Sequence, residues 1–591
     1  FRFFPGFYFH VRNTMSRIPR GGGASVADSL VPTPEITLAF ANQPPFVLPA
    51  DLPAANDLAG WIRALNDLVH QHLPQSVPDS EKLFFLRRLL CFLVSGRKRR
   101  ELVYDTIDWW TYIDAANKSQ GYQDILANGL TRSLVAMQPK VGSTLTVGTI
   151  LVQVLLDMFD THAFSDCVLN GPTSDVWITP WVARLQQLGG ANFELHCGHR
   201  VDSLNFNPGT GKITGIRVTD LATSTQTTVG TAADDYIAAL PVDVMQTLLT
   251  QGIKAAAGLD RIDQLQVESM NGVLYYVNHN AGERHGHVIY INSSWAVTSI
   301  EQQQFWADDI GTTYGAPGAP NPARDIVSAI ISDWKSPGQY TTMNTAEHCV
   351  TRNEVLNEAW AQIKAHRSTW TAGYGKLEDA DKVNQWLDEA ITIPGPGGVA
   401  ANSEPLLVNV TGTHALRPDA ATAIDNLFLA SDYVKTYTDL ATMEAANEAG
   451  RRAAIGVLQR ANPNASNLPE VRPLHEPAVF RALQDLDDIL FDFYGNDPAH
   501  APPLCAVIDA LSDEAFSVFA RSGGAIVPAA GANTIAPKPI GDPVRPNGSG
   551  RDVVPPPPDG AGTAAINWLI WVLLASNLVL LALLIYVLLA D

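Results

Sequence analysis

Charge is scarce in this sequence and unevenly signed. Only 17% of the 591 residues are charged, and 60 acids against 40 bases leave a formal charge of −20. Non-specific nucleic-acid binding needs many phosphate-neutralising cations, so that role is set aside. Cysteines are few: Cys91, Cys167, Cys197, Cys349 and Cys505 lie far apart with no C-x-x-C. This set makes neither a disulfide framework nor a zinc module, and it suits a reducing compartment. There is no H-E-x-x-H, no G-x-S-x-G and no repeat of domain-building length, which removes the zincin and nucleophile-elbow chemistries. A charged n-region followed by an apolar h-region, the mark of a signal peptide, is missing at Phe1–Tyr8. Apolar residues are plentiful at 46%, enough material for large cores and against a mainly disordered chain.

The longest apolar run is Ala564 to Ala590, 27 residues without a charge. A bilayer core needs about 20 apolar residues, so this run is long enough to span with some tilt. Lys538, Arg545 and Arg551 precede it and only Asp591 follows. The reading is a tail anchor with the large portion on the cytoplasmic side. Gly523 to Gly562, rich in Gly, Pro, Ala and Asn, reads as a tether. A second membrane-facing candidate is Leu83–Val94 followed by Arg97-Lys98-Arg99-Arg100, with six cations and no acid between 87 and 100. Such a stretch is either an amphipathic helix resting on a leaflet or a core helix with a solvated charged end.

Residues 50 to 165 read as mainly helical. Phe193–His196, Ile213–Val218 and Asp235–Leu240 read as strands, the first two separated by a turn at Asn207–Gly211. Near the C-terminal end of the folded portion, Leu427–Ala430 reads as a buried strand. It is followed by Ser431, Asp432 and a helix start for which Asp439 is a candidate N-cap. Strand, acid, turn and helix N-terminus suit a polar cofactor: the acid accepts sugar hydroxyls and the helix end offers unpaired N–H groups.

Asn426 to Ala454 resembles the C-terminal flavin motif of the phytoene desaturase and amine-oxidase superfamily of FAD-dependent oxidoreductases, most closely its squalene- and carotene-type desaturases. The resemblance implies that Asp432, next to Ser431, meets the ribityl and diphosphate region. It also implies that Thr442, Met443 and Glu444 face the pyrimidine end of the flavin. Gly171-Pro172-Thr173 through Val218 is similar to the family's central segment and makes Val201 the adenine contact. Asp235–Pro241 resembles the strand beneath the cofactor. Phe3-Phe4-Pro5-Gly6-Phe7-Tyr8 resembles a segment passing near the flavin, bringing in Pro5 and Gly6. Ser431 stands where the family usually has Gly or Ala.

The implied fold is α/β: a Rossmann-like FAD-binding core with an inserted α+β substrate domain and a C-terminal transmembrane helix. The core falls at 1–50, 166–260 and 405–465. Residues 51–165 form a helical substrate or membrane-contact region and 261–404 the substrate domain. A helical extension covers 466–522, the linker 523–563 and the transmembrane helix 564–590. No G-x-G-x-x-G after a strand occurs: Gly395–Ala400 reads as a loop, and Gly21-Gly22-Gly23 follows no strand. The first βαβ unit is therefore expected upstream. His279, His285 and His287, between two apparent strands, read as a polar hairpin turn.

The resemblance implies a hydride moving from a hydrophobic polyisoprenoid, a carotenoid or squalene precursor drawn from membrane lipid, to flavin N5. Trp109, Trp110 and Trp295 are candidate tunnel walls, and no catalytic base stands out. Two alternatives remain: an amine oxidase of the same fold, needing an aromatic cage, and a membrane-tethered scaffold that has lost FAD.

Overall fold

The computed structural model describes residues 3–523, except 50, 51, 53, 54, 56, 72, 130, 133–136, 160–165 and 315–321. The expected transmembrane helix at 564–590 and nearly all of the linker lie outside the described residues. Among those described, no helix is long and apolar enough to cross a membrane.

The largest sheet has seven strands in the order Lys382–Leu387, Asn271–Val277, Asp325–Ile331, Thr298–Glu301, Gly286–Ile291, Glu35–Phe40, Phe46–Pro49. All neighbours are antiparallel except Gly286–Ile291 with Glu35–Phe40, where Val288 lies opposite Thr37. Alternation sorts the side chains to two faces. Val288, Tyr290 and Ala39 join a core with Val355, Ala359 and Trp360 of the helix Arg352–His366. Ile289, Ile291, Ile36 and Leu38 point the other way, into a core with the helices Leu58–Gln71, Asp79–Val94 and Thr144–Phe159. The strands Asn271–Val277 and Gly286–Ile291 are separated by two others, so the histidine segment is no hairpin turn. His279 pairs with Asp381 at 3.3 Å, the His285 ring centre lies 5.5 Å from that of Phe305, and His287 is buried beside Phe3.

A second unit holds a three-stranded antiparallel ribbon, His199–Asn207, Lys212–Asp220 and Gln226–Val229. The ribbon begins at His199; Phe193–His196, read as a strand, is irregular. Beside it lies a parallel pair, Tyr236–Ala238 with Leu427–Leu429. Asn426 stitches the two together, its amide accepting from Ile213 N (3.0 Å) and donating to Ile213 O (2.9 Å). The helix Met443–Ala461 crosses this pair closely. A Cβ at Gly456 would lie 2.5 Å from the Phe428 ring, and Ala449 and Ala453 face the same core.

In the basic stretch of the helical region Arg87, Arg99 and Arg100 are buried against protein, while Arg97 and Lys98 are exposed. Arg87 donates to the carbonyls of Ile508 and Leu511 and to Asp513. Arg99 forms a two-toothed pair with Asp487, Arg100 meets Glu476 at 2.7 Å, and Lys98 pairs with Asp492. The acceptors sit in and around the last helices, Ala478–Phe493, Pro503–Ala510 and Asp513–Ser522. The local excess of cations is thus largely answered within the chain, and Leu83–Val94 packs into the helical core. Cys91 and Cys505 are joined as a disulfide between Asp79–Val94 and Pro503–Ala510, with Cα atoms 5.2 Å apart. This bridge departs from the expectation that the scattered cysteines form no disulfide framework; Cys197 is exposed and Cys349 buried.

Candidate cofactor site

The strand Leu427–Leu429 runs into Ala430, whose N–H donates to Ala238 O (3.0 Å), and then into the turn Ser431–Thr442. Arg417 shapes this turn. Its guanidinium donates to the carbonyls of Asp432, Tyr433 (3.2 Å) and Val434 (2.8 Å), and to the Asp439 carboxylate at 2.7 Å. Asp439, buried and in the left-handed region at φ 50°, also accepts from Thr146 Oγ1 (2.7 Å) and pairs with His414 Nδ1 (3.0 Å). Asn409 Nδ2 holds its carbonyl at 2.8 Å. Asp439 is therefore the anchor of the turn rather than the helix cap. The N-cap is Thr442, whose hydroxyl accepts from Ala445 N at 3.1 Å.

Asp432 is largely buried, and desolvation lifts its pKa against the pull of Arg417. Among the described residues its carboxylate meets one side-chain donor, the neighbouring Ser431 hydroxyl at 3.3 Å. Along the same turn the hydroxyls of Tyr433, Thr436 and Thr438 are buried and make no hydrogen bond among the described residues.

At the far end of the turn, Glu444 spends its carboxylate on the start of the helix His10–Met15. It accepts from the backbone N–H groups of Phe9 (2.9 Å), His10 (2.7 Å) and Val11 (2.9 Å), and lies 2.7 Å from His10 Nδ1. Negative charge at a helix start is the favourable placement. Tyr8 hydrogen-bonds Thr442, and Met443 packs with Phe4, Tyr8 and Val11. Pro5 and Gly6 belong to the same corner: Pro5 O accepts from Tyr8 N (3.1 Å), and Gly6 N donates to Asp166 (2.8 Å). Val201 packs in the other core, with Ala430, Tyr433 and Val434. Asp432 to Thr442 is thus the bridge between the Val201 side and the Pro5–Tyr8 side.

A sequence profile described as flavin containing amine oxidoreductase matches residues 162–458, just over half of the chain. The chain belongs to that family. FAD is accordingly its cofactor, and its class is oxidoreductase. No curated protein matches it. Solved structures similar to this flavin oxidoreductase include an oxidoreductase from Methanosarcina mazei, 11% identical, covering 73% of this chain and 82% of that one at TM-score 0.44. Cyclohexylamine oxidase from Brevibacterium oxydans is also 11% identical, covering 78% and 87% at TM-score 0.42. Putrescine oxidase bound to putrescine, 11% identical, covers 73% and 82% at TM-score 0.41.

Arg417, His414 and Thr146 escaped the reading of the sequence. Arg417 stands 15 residues before Asp432 and acts across a strand, so no helical or strand period marks it. The flavin oxidoreductase also differs from expectation in its tryptophans. Trp109 is packed among Phe85, Tyr112 and helix side chains, Trp110 carries Lys140 at 4.7 Å, and Trp295 bonds Ser336 O at 3.0 Å. None of the three lines the apolar cavity between the seven-stranded sheet and its helices.

His414 sits among acids: burial lowers its pKa, but Asp439, Glu101 and Asp105 together raise it. A group that binds its proton more tightly when folded stabilises the fold below its unfolded pKa and loses that contribution as pH rises through the folded value. Asp439 runs the other way: burial raises its pKa, but Arg417, His414 and Thr146 hold it low, so its contribution disappears as pH falls. The expected result is a stability contribution that declines as pH rises above the ordinary histidine range. His414→Gln flattens that decline in denaturant titrations at stepped pH; an unchanged slope contradicts the assignment.

Proposed function

We propose that this FAD-dependent oxidoreductase oxidises a long hydrocarbon chain, a polyisoprenoid such as a carotenoid or squalene precursor, introducing a double bond. The observation that carries the reading is the wholly apolar lining of a cavity between the seven-stranded sheet and the helices packed on it, whose volume of about 80 Å³ takes a short stretch of such a chain. Its walls, including Leu38, Phe85, Leu89, Leu151, Leu155 and Ile289, carry no charged or hydrogen-bonding side chain. An ammonium group would find neither a carboxylate nor a pair of facing rings there, since Phe85 is the one aromatic among its lining residues. A hydrocarbon loses nothing by entering such a space.

The turn Ser431–Thr442 supports the cofactor half of the reading. A desolvated carboxylate at Asp432 and unpartnered hydroxyls beside it suit a polyol. In this proposal Asp432 accepts ribityl hydroxyls, with Ser431 beside it and Val201 beneath the adenine. The first-turn N–H groups at Met443 and Glu444 oppose negative charge at the flavin's pyrimidine end, with Pro5 and Gly6 on its other side. FAD when bound supplies a hydride acceptor. The segment Ala564–Ala590 completes the proposal as a bilayer anchor, with the folded part on the cytoplasmic side and its substrate supplied by the membrane.

Anaerobic mixing of the FAD-loaded protein with a detergent-dispersed isoprenoid is expected to bleach the flavin band, whereas primary amines leave it unchanged. Bleaching by amines alone selects the amine-oxidase reading. Asp432→Ala is expected to weaken FAD about 10- to 150-fold, the effect of losing a hydrogen bond to a charged group. Flavin fluorescence titration measures it. Leu155→Trp, which fills the cavity, should lower kcat/KM for the isoprenoid about tenfold or more while FAD affinity stays constant.

A further inference from the structure

The helix Ala478–Phe493 has one face committed to the protein, through Val479, Phe480, Leu483 and Asp487. Its opposite face should be polar in a surface helix. It is not: Ala478 and Ala482 are exposed, Leu486 is half-buried, Ile489 is 65% exposed and Phe493 76%. Positions 482, 486, 489 and 493 follow the i, i+4, i+7, i+11 spacing of a single stripe. Tyr494, 43% exposed and stacked on His500 at 4.0 Å between ring centres, extends the stripe into the next turn.

The charges bordering this stripe leave it near neutral. Asp492 pairs with Lys98 and Asp497 with His500 at 3.2 Å, and the exposed Arg481 and Asp485 are one of each sign. A surface of this kind gains nothing from an anionic partner and pays little to approach a neutral one. The stripe also lies in the last helical block before the long uncharged apolar run of the sequence, Ala564–Ala590.

We propose that the stripe Ala482, Leu486, Ile489, Phe493 and Tyr494 docks on the headgroup boundary of a neutral lipid bilayer, laying the C-terminal helical block against the membrane. The proposal rests on the reading of Ala564–Ala590 as an anchor. Anchoring alone would leave the folded part free to turn in any direction. Docking through this stripe fixes its orientation, because Ala478–Phe493 is tied to the helix Asp79–Val94, whose Phe85 and Leu89 wall the apolar cavity, by Gln484 donating to Leu93 O at 2.7 Å. Aliphatic and aromatic side chains at the acyl boundary, with paired charges above them, match the chemistry of interfacial binding.

The test uses the full chain reconstituted in phosphatidylcholine vesicles. In a Cys197→Ser background, which removes the exposed thiol, Phe493→Cys carries an environment-sensitive fluorophore, and Leu188→Cys, at a 66% exposed position, serves as control. The expected result is a blue-shifted emission at 493, strongly quenched by nitroxide-bearing lipids, with neither effect at 188. Replacing part of the phosphatidylcholine by phosphatidylserine should not strengthen the quenching. Blue shift without lipid quenching means that Ala564–Ala590 or a second copy covers the stripe, and overturns the proposal. An unshifted label on protein that floats with the vesicles overturns the docking face but keeps the anchor. Protein that fails to float overturns both.

Discussion

Asp439→Ala is expected to cost about 3–5 kcal/mol of folding stability, the range for removing one partner of a buried ion pair. The carboxylate neutralises Arg417 and His414 at 2.7 and 3.0 Å and satisfies Thr146. Without it, a guanidinium with no exposed surface keeps only carbonyl acceptors. The backbone adds its own term, because Asp439 occupies a left-handed conformation that alanine accepts less readily than aspartate. Urea denaturation of wild type, Asp439→Ala and Asp439→Asn measures the effect, with the asparagine variant expected between the other two. Since the same carboxylate poses the turn that follows Asp432, flavin affinity should fall along with stability. Unchanged flavin affinity in Asp439→Asn would separate the turn from the cofactor.

Arg367→Ala should be comparably damaging, about 3–5 kcal/mol, in a different core. Arg367 and Glu301 are both fully buried within the seven-stranded sheet and its covering helix. Arg367 also donates to Tyr290 Oη at 2.9 and 2.6 Å and to Ser299 Oγ at 3.0 Å. Truncation leaves the Glu301 charge in an apolar interior close to Asp325, whose pKa burial has already pushed up to about 6 despite backbone donors at Gln303 and Ala281. The double change Arg367→Met with Glu301→Leu should recover most of the loss, because it removes both charges together. If the single and double variants melt alike, the pair contributes no more than its volume.

The parts of the fold that could be read from the sequence are those with a local signature. Leu427–Leu429 was marked by consecutive large apolar residues and the acid after them, and Tyr236–Ala238 by the same kind of short apolar run. The strand at Phe193–His196 was misplaced because its alternation is short, whereas His199–Asn207 gains its place from pairing with Lys212–Asp220. Strand order in the large sheet was out of reach. Asn271–Val277 and Gly286–Ile291 are close in sequence, yet two strands from later in the chain lie between them. For the candidate site, the cap at Thr442 was three residues from the expected Asp439, since an acid before a helix can serve either as cap or as a long-range anchor. Nothing local decides between these roles: Arg417 and Thr146 make the difference, and both come from elsewhere in the chain. The basic stretch Arg97–Arg100 was ambiguous for the same reason. Its meaning depends on Asp487 and Asp492, nearly four hundred residues away.

That distance has a covalent counterpart in Cys91 and Cys505, joined across 414 positions. The bond turns most of the polypeptide into a ring with two short arms. A protease nick anywhere inside the ring leaves the halves attached to each other, and to whatever holds the C-terminal arm. On a denaturing gel the nicked molecule would run as one species until a thiol reductant releases two fragments.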